Sequence, residues 1–498
     1  MIKNPITLYS RLKYAKYIVF FSNRNKMKLK LAVYLTLMCT VSTSSLASSL
    51  VRIYELAVKN DNQYQRAISI YEADSELSNI SRAKLYPSIK AEYALRYLRE
   101  DNTIRQVVVL PSESLQVQDV SFDRNINNQS WTLRLEQPIF DAPAWYGYQQ
   151  GKSQVRVADA ILQKAKQDLV IRVVNAYIDV LRAQDSLAAT RAQEGAHLRQ
   201  LEKTKQRFAS RLIPITEVTE SQAAYDVVRV RSLEEQNNVE ITLEAIGNIT
   251  GSQHTTLNIL SRDFEATQPE PNSIDKWTES AINNNLQLLI ARQTQSVAEN
   301  KQKAAEWEHS PKLVLGVFAS DNSTGGSINS SVDSPFILGP SQNTDSIGIE
   351  LRLQIPLYEG GLTSANIRRA GHQFRASRDF AEETSRSVSI EARKLFLRIK
   401  SDVSLIEAKR VSILSAKSAL DAAEAGYGSG TRNIIDVLNA QNVLFSTERD
   451  HANSLYDYIE NSFLLRANSA SLTAGDIFRL DAFLKPPSNQ QGYQRAVR

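Results

Sequence analysis

The sequence predicts a mostly α-helical protein with a small membrane β part, built as two copies of one structural plan. Two stretches, 144–209 and 362–425, lack proline and consist mainly of helix-forming residues. Each would be ~100 Å long at 1.5 Å per residue. Four short segments alternate apolar and polar residues, as half-buried strands do. Related motifs recur roughly 220 residues apart, which indicates an internal repeat. Helices of this length indicate coiled-coil packing rather than one globular core.

The first 47 residues have the composition of an export signal. The chain holds 59 Lys and Arg against 54 Asp and Glu, but residues 1–47 contain eight basic side chains and no carboxylate. Met27, an alternative start, opens a short basic segment, an apolar run over 31–41 follows, and small residues precede a cleavage point after Ala47. An uncleaved membrane anchor would need a longer apolar run. Cleavage removes the lone Cys39 and leaves a mildly acidic chain, which argues against a nucleic-acid partner.

The remaining chain repeats itself. Pro87 and Pro311 lie in matching motifs 224 residues apart, whereas the matching Pro138 and Pro356 lie 218 apart. The second copy is therefore shorter between its two prolines, and a surface loop is expected there. We divide the chain after the leader into a first repeat, a second repeat and a polar C-terminal tail, at 48–268, 269–485 and 486–498.

Each repeat begins with a predicted helix of about 35 residues, at 50–84 and at 273–308, followed by two strands and the long helical stretch. Within the long stretches apolar residues recur every two to four positions, which is typical of packed helices. Examples are Leu162, Ala165, Leu169, Val174 and Ile178 in the first repeat and Val388, Ala392, Leu395, Ile399 and Val403 in the second.

The predicted strands carry a membrane signal. Their spans are about 88–99, 130–140, 312–321 and 346–357. Alternation over nine to ten residues is typical of strands that face lipid on one side and a lumen on the other. The strand at 312–321 is the weakest, because Val314 and Phe318 place apolar groups on its polar side. Long polar loops are predicted at 101–129 and 322–344. The alternative is a soluble sheet whose polar face meets water.

Four strands are too few to close a membrane barrel, and an open sheet edge in lipid leaves backbone groups without hydrogen bonds. Several chains must therefore pool their strands. Two chains would supply eight strands around an interior filled by side chains, and three would supply twelve, enough for a pore. The residues thus favour an oligomeric barrel that continues into a bundle of long helices.

Several motifs resemble the TolC family of outer-membrane efflux and type I secretion channels. The most specific is AGYGSGTRNIIDVLNAQ at 425–441, which is similar to the family's second inter-helix turn. LQIPLYEGG at 353–361, AYIDVL at 176–181 and the turn at 207–218 also match, in the same order. The resemblance covers about residues 50–485. It implies a homotrimer that shares a twelve-stranded outer-membrane barrel, four strands per chain, continuous with a periplasmic tunnel of α-helices. It further implies a periplasmic adaptor and an inner-membrane transporter, ABC or proton-driven.

The resemblance also assigns roles to residues at the periplasmic tip. Family channels are closed there by polar links between coiled coils, and the matching gate latch is Thr216, Glu217, Tyr427 and Arg432. Asp436 would line the aperture, and Asn439 stands where the family often has a second Asp, which implies weaker cation selectivity. The turns implied in adaptor docking contain Arg211, Gly428 and Gly430, with Arg211 standing where the second copy has Gly430.

Other chemistry finds little support in the sequence. The five His are scattered without a second ligand at metal spacing, so no metal site and no cofactor are predicted. No local nucleophile motif appears, and an enzyme is not expected. A periplasmic coiled-coil adaptor or scaffold is the alternative function, since it would share long helical hairpins but should lack paired lipid-facing strands. The cargo, drugs or secreted proteins, is left open.

Overall fold

The computed structural model describes residues 48–109, 114–331 and 341–487. The predicted leader at 1–47 and most of the predicted tail lie outside these ranges. The fold is mostly helical, with one four-stranded sheet, as predicted. Among the described residues, no helix combines the length and apolarity that a membrane span requires.

The opening helix of each repeat is interrupted, in contrast to the single helix predicted. The first consists of α1 Leu50–Asn60, α2 Asn62–Ser75 and α3 Leu77–Ala83, and the second of α6 Ile274–Asn284 and α7 Leu286–Glu306. Asp61 caps α2 by accepting a 2.6 Å bond from the Tyr64 amide, and Asn285 caps α7 through Leu288 at 3.0 Å. These caps lie 224 residues apart, so both copies break at one repeat position. Asp and Asn end a helix by supplying a local acceptor to the next one.

Two long helical hairpins dominate the molecule. The first hairpin pairs α4 Ala142–Ala209 with α5 Ile215–Thr250. The second hairpin pairs α8 Leu362–Ser429 with α9 Ile434–Asn468. The helices α4 and α8 have 68 residues each and so extend ~100 Å. A short α10, Ala474–Asp481, follows the second hairpin.

The sheet consists of β1 Ser88–Val109, β2 Leu115–Phe140, β4 Lys312–Ser330 and β5 Gln342–Gln354; a separate short strand, β3 Ile259–Leu260, lies between β2 and β4 in the chain. The four strands of the sheet are antiparallel, in the order β1-β2-β4-β5. The prediction of a loop throughout 101–129 was wrong, because β1 and β2 continue as a paired ribbon well beyond the predicted strand ends. Polar cross-strand pairs such as Arg105 with Asp119, at 2.8 Å, stabilise this extension, and the buried Val120 and Phe122 pack there with Ile328. The fourth strand ends before the predicted 357, since Pro356 lacks an amide donor.

One face of the sheet is apolar and exposed. Ile347 is 87% exposed and Ile349 77%, and they share this face with the exposed Tyr93, Leu95 and Leu133. The opposite face is charged. There Glu350 accepts from Arg134 at 3.1 Å and from Arg352 at 2.6 Å.

Phe318 lies on this charged face and explains the weak alternation of its strand. Its ring lies against Gly348 of the neighbouring strand, where an added Cβ would be 2.6 Å from the Phe318 Cζ. The aromatic ring therefore covers a position that has no side chain of its own.

The main apolar core, here called the central core, lies where the opening helices meet α4 and α9. Its fully buried members include Leu50, Ile53, Leu169, Val173, Tyr177, Ile246, Ile399, Tyr456 and Leu465. Leu288 is also buried but belongs to a separate small cluster. The two-stranded pair of β3 Ile259–Leu260 and β6 Leu484–Lys485 closes it. Ser48, the residue after the predicted cleavage point, forms a bridge with Leu257 beside this pair. The start, the middle and the end of the described chain thus meet at one place.

Candidate gate at the helical turns

The turns that end the two hairpins have the same backbone. Leu212 donates its amide to the Arg207 carbonyl at 2.9 Å, and Thr431 donates to the Gly426 carbonyl at 2.9 Å. Arg211 has φ +60°, and its counterpart Gly430 has φ +76°. Both turns therefore place a left-handed residue after the helix end, which glycine accommodates and arginine resists.

Exchanging side chains at the left-handed positions is expected to change stability in opposite directions. Arg211→Gly should stabilise the chain by about 0.5–1 kcal/mol, and Gly430→Ala should destabilise it by about 1 kcal/mol. Gly428→Ala is the matched control, because Gly428 has no positive φ and an added Cβ there meets nothing within 4 Å. Denaturant midpoints of the detergent-solubilised protein measure all three. Equal effects of Gly428→Ala and Gly430→Ala would contradict the backbone argument.

A buried tyrosine joins the tips of the two hairpins. The Tyr427 hydroxyl donates to the Glu217 Oε2 at 2.9 Å, and the side chain of Tyr427 is only 3% exposed. Burial raises the pKa of Tyr427, and the neighbouring Glu217 carboxylate raises it further. Behind the ring lies a small apolar cluster, here called the tip cluster, of Ala423, Tyr427, Ile434, Val437 and Leu438. The tyrosine is thus anchored in one hairpin and bonded to the other.

Glu217 is available for this bond because of how its helix begins. Glu217 is the third residue of α5, whose cap is Pro214, and Pro214 makes no side-chain cap bond. Its counterpart Asp436 is the third residue of α9, whose cap is Asn433. There the Asn433 amide donates to Asp436 Oδ2 at 3.3 Å, and the Asp436 amide donates to Asn433 Oδ1 at 2.9 Å. The predicted aperture acid therefore already forms a capping box.

The structure does not bring the other predicted latch residues together within one chain. Thr216 is exposed, and its carbonyl accepts from the Thr219 hydroxyl at 2.8 Å. Arg432 is exposed, and its Cγ lies 3.0 Å from where a Cβ on Gly426 would be. Across the described ranges the Arg432 guanidinium has no hydrogen bond or ion pair. Asn439 is exposed one helical turn beyond Asp436.

Arg207 of the first hairpin, which is not among the predicted latch residues, contacts Tyr427. Its guanidinium carbon lies 4.6 Å from the centroid of the Tyr427 ring, and its Nη1 donates to the Tyr427 carbonyl oxygen at 3.3 Å. Lys203, one turn earlier on α4, places its Nζ 5.9 Å from the same centroid. The only sequence signal is that Arg207 occupies the position of Gly426 in the second turn.

A polar seam runs along α4 above the tip. Its five side chains, spaced three or four residues apart, are all at most 7% exposed. They are Thr190, Gln193, His197, Gln200 and Thr204. Gln193 donates to Asn442 of α9 at 2.6 Å, and Thr204 pairs with Ser221 of α5 at 3.3 Å. Most packing positions of the coiled coil are therefore polar in this stretch, with the buried Leu201 as an apolar exception.

A groove of about 390 Å³ adjoins the seam between α4, α8 and α9. Its walls carry both signs of charge, with Lys203 and Lys417 facing the acids Asp421 and Glu448. Burial raises the pKa of Glu448 to about 7, although Lys417 opposes this shift. The groove thus presents a mixed-charge surface just above the turns.

An exposed apolar sheet joined to long helical hairpins defines the class of outer-membrane channels that continue into a helical duct. The profile of the family described as Outer membrane efflux protein matches residues 53–252 and 277–469. The chain belongs to this family. It is similar to outer membrane protein TolC of Vibrio cholerae, with 32% identity over 90% of this chain and 96% of the relative.

Two further likenesses support the assignment. The proteases secretion protein PrtF of Dickeya chrysanthemi is 26% identical over 94% of this chain and 98% of its own length. The crystal structure of the Campylobacter jejuni CmeC outer membrane channel has a TM-score of 0.66 at 15% identity, covering 97% of this chain and 98% of that one. The TolC-type resemblance and the predicted fold class are confirmed. The protein is an outer-membrane exit channel of the kind that serves efflux and type I secretion.

Proposed function

We propose that three copies of this chain form one passive duct through the outer membrane, exported after removal of residues 1–47. The supporting observation is the sheet itself. Its apolar face is exposed, and its two outer strands, β1 and β5, each have one edge with no partner strand among the described residues. Such edges are tolerated in lipid only when a barrel closes. Three sheets supply twelve strands, and the charged face around Glu350 would line the water-filled interior.

We propose that the hairpin turns form the gate of this duct. Tyr427 and Glu217 link the two hairpins of one chain, whereas Arg432 and Thr216 are exposed at the tip and are left to link neighbouring chains. Arginine suits this role because its planar fork can bond a carboxylate or a hydroxyl. Exposed links contribute only ~0–1 kcal/mol each, so three copies make a closure that a docking partner can release.

Asp436 is proposed to ring the aperture together with Asn439. The capping box occupies one of its carboxylate oxygens, Oδ2. Three such carboxylates would attract cations, and the neutral Asn439 adds no second charged ring. Weak cation selectivity is the expected result.

The duct is proposed to act with a periplasmic adaptor and an inner-membrane transporter, either ABC-type or proton-driven. The exposed turns with Arg211, Gly428 and Gly430, and the mixed-charge groove beside them, are the proposed docking region for the adaptor. Relatives are named both for efflux and for secretion of proteases. Both small molecules and secreted polypeptides are therefore candidate cargo.

Replacing Arg432 with serine is expected to raise the conductance of the resting channel in planar bilayers, because the links between chains are lost. Wild-type conductance of Arg432→Ser trimers would show that Arg432 does not hold the gate.

The purified wild-type protein is expected to come from the outer-membrane fraction and to run as a heat-sensitive trimer on gels. A soluble periplasmic monomer would instead favour the adaptor or scaffold.

A further inference from the structure

We propose that Arg207 is a positioning residue of the gate, which holds the Tyr427 ring so that its hydroxyl reaches Glu217. The inference rests on the proposed gate and adds a third member to the link inside each chain. It assigns the closing geometry to a residue that contacts Tyr427 rather than Glu217.

Arg207 contacts Tyr427 at two points, the ring face and the backbone carbonyl. The guanidinium lies over the ring, 4.6 Å from its centroid, and Nη1 bonds the carbonyl oxygen of the same residue at 3.3 Å. A ring held on its face and at its backbone has little freedom to swing away from the acceptor. The planar guanidinium can stack on the ring while its N–H groups bond the backbone, which an ammonium cannot do equally well.

The charges around the ring favour the same geometry. Tyr427 lies between the cation of Arg207 and the carboxylate of Glu217, both supplied by the first hairpin. The cation attracts the electron-rich ring face, and the carboxylate accepts the phenolic proton. Lys203 adds a second, more distant cation on the same helix. Since the ring is almost fully buried, these contacts are screened less than surface pairs are.

The contact has no counterpart in the other turn, although the backbones match. The repeat places Gly426 opposite Arg207 and Phe208 opposite Tyr427. Phe208 is 41% exposed and carries no hydroxyl, so the second hairpin does not hold the first in the same way. The link is therefore asymmetric: the first hairpin supplies both the cation, Arg207, and the hydrogen-bond acceptor, Glu217, and the second hairpin supplies the tyrosine.

The test is single-channel recording of trimers in planar bilayers. Arg207→Ala should raise the open probability about tenfold, because each of the three rings loses its support. Arg207→Lys should recover part of the closure, since the charge remains but the planar stack is lost. Lys205→Ala is the matched control, an exposed basic residue on the same helix without a described partner. All variants are first checked for heat-sensitive trimers.

A double variant separates positioning from an independent effect. If Arg207 acts through the tyrosine hydroxyl, Arg207→Ala should add little to a channel already carrying Tyr427→Phe. An equal rise in both backgrounds would overturn the inference, as would wild-type behaviour of Arg207→Ala in an assay where Arg432→Ser opens the channel. If neither Arg207→Ala nor Arg432→Ser opens it, the proposed gate fails together with this inference.

Discussion

Tyr427→Phe is expected to shift the gate strongly toward the open state. The change removes the hydroxyl that donates to Glu217 at 2.9 Å and leaves the buried ring in place. A hydrogen bond of this kind contributes about 1 kcal/mol net, so three copies contribute about 3 kcal/mol. This corresponds to a change of roughly a hundredfold in the open-to-closed ratio. Open probability in planar bilayers measures it.

The matched control for this change is Tyr225→Phe, on α5 of the first hairpin, because the Tyr225 hydroxyl makes no hydrogen bond within the part of the chain that the structure describes. Its open probability should stay at the wild-type level.

The hydrogen bond from the Tyr427 hydroxyl to Glu217 should persist at neutral pH. Because the pKa of Tyr427 is raised above 10.0, the phenol keeps its proton below that pH, and its contribution is lost only as pH rises through the raised value. A Tyr427→Phe channel as closed as the wild type would remove Tyr427 from the gate.

Tyr177→Ala is expected to destabilise the protein by about 3–5 kcal/mol, the largest stability effect predicted for this chain. Tyr177 is 1% exposed in the central core, and its hydroxyl donates to the Asn258 carbonyl oxygen at 2.7 Å. Truncation leaves a cavity and an unsatisfied buried acceptor at once. Tyr177→Phe should cost only about 1–2 kcal/mol, because it retains the packing and loses the bond.

The denaturant midpoint of detergent-solubilised protein distinguishes these two losses. Tyr71→Ala, on the partly exposed helix α2, is the control for removing a tyrosine outside the core. Its midpoint should change by less than that of Tyr177→Phe. A Tyr177→Ala protein as stable as the control would mean that the central core does not hold the two repeats together.

The parts of the fold that depend on the spacing of apolar residues could be predicted from the sequence. Alternation located the part of each strand where one face of the sheet is apolar and exposed. It did not show the extension of β1 and β2, because charged pairs such as Arg105 with Asp119 interrupt the apolar pattern there and give the segment the composition of a loop. The helix breaks at Asp61 and Asn285 were missed because a single Asx cap leaves the apolar spacing almost unchanged.

Some residues of the candidate site could likewise be predicted from the sequence, and others could not. The motif resemblance placed Tyr427 and Glu217 in one latch, and the structure shows them in contact. The capping box of Asp436 was readable from Asn433 three residues earlier, a local pattern. Arg207 was not readable, because a contact between two hairpins depends on how they pack. Nothing in the residues near 207 specifies a ring 220 positions away.

The uneven distribution of apolar side chains along α4 has a mechanical consequence. Apolar packing in the central core holds one part of α4 rigidly. Along the polar seam from Thr190 to Thr204, little apolar surface is buried, so sliding of the neighbouring helices loses little hydrophobic free energy. Side-chain hydrogen bonds such as Gln193 with Asn442 can be exchanged for bonds to water at small net cost. The first hairpin is therefore held firmly at the central core and more loosely along the polar seam near its tip. A small force at the hairpin tip can therefore bend the helices near the tip, while the part packed in the central core keeps its shape.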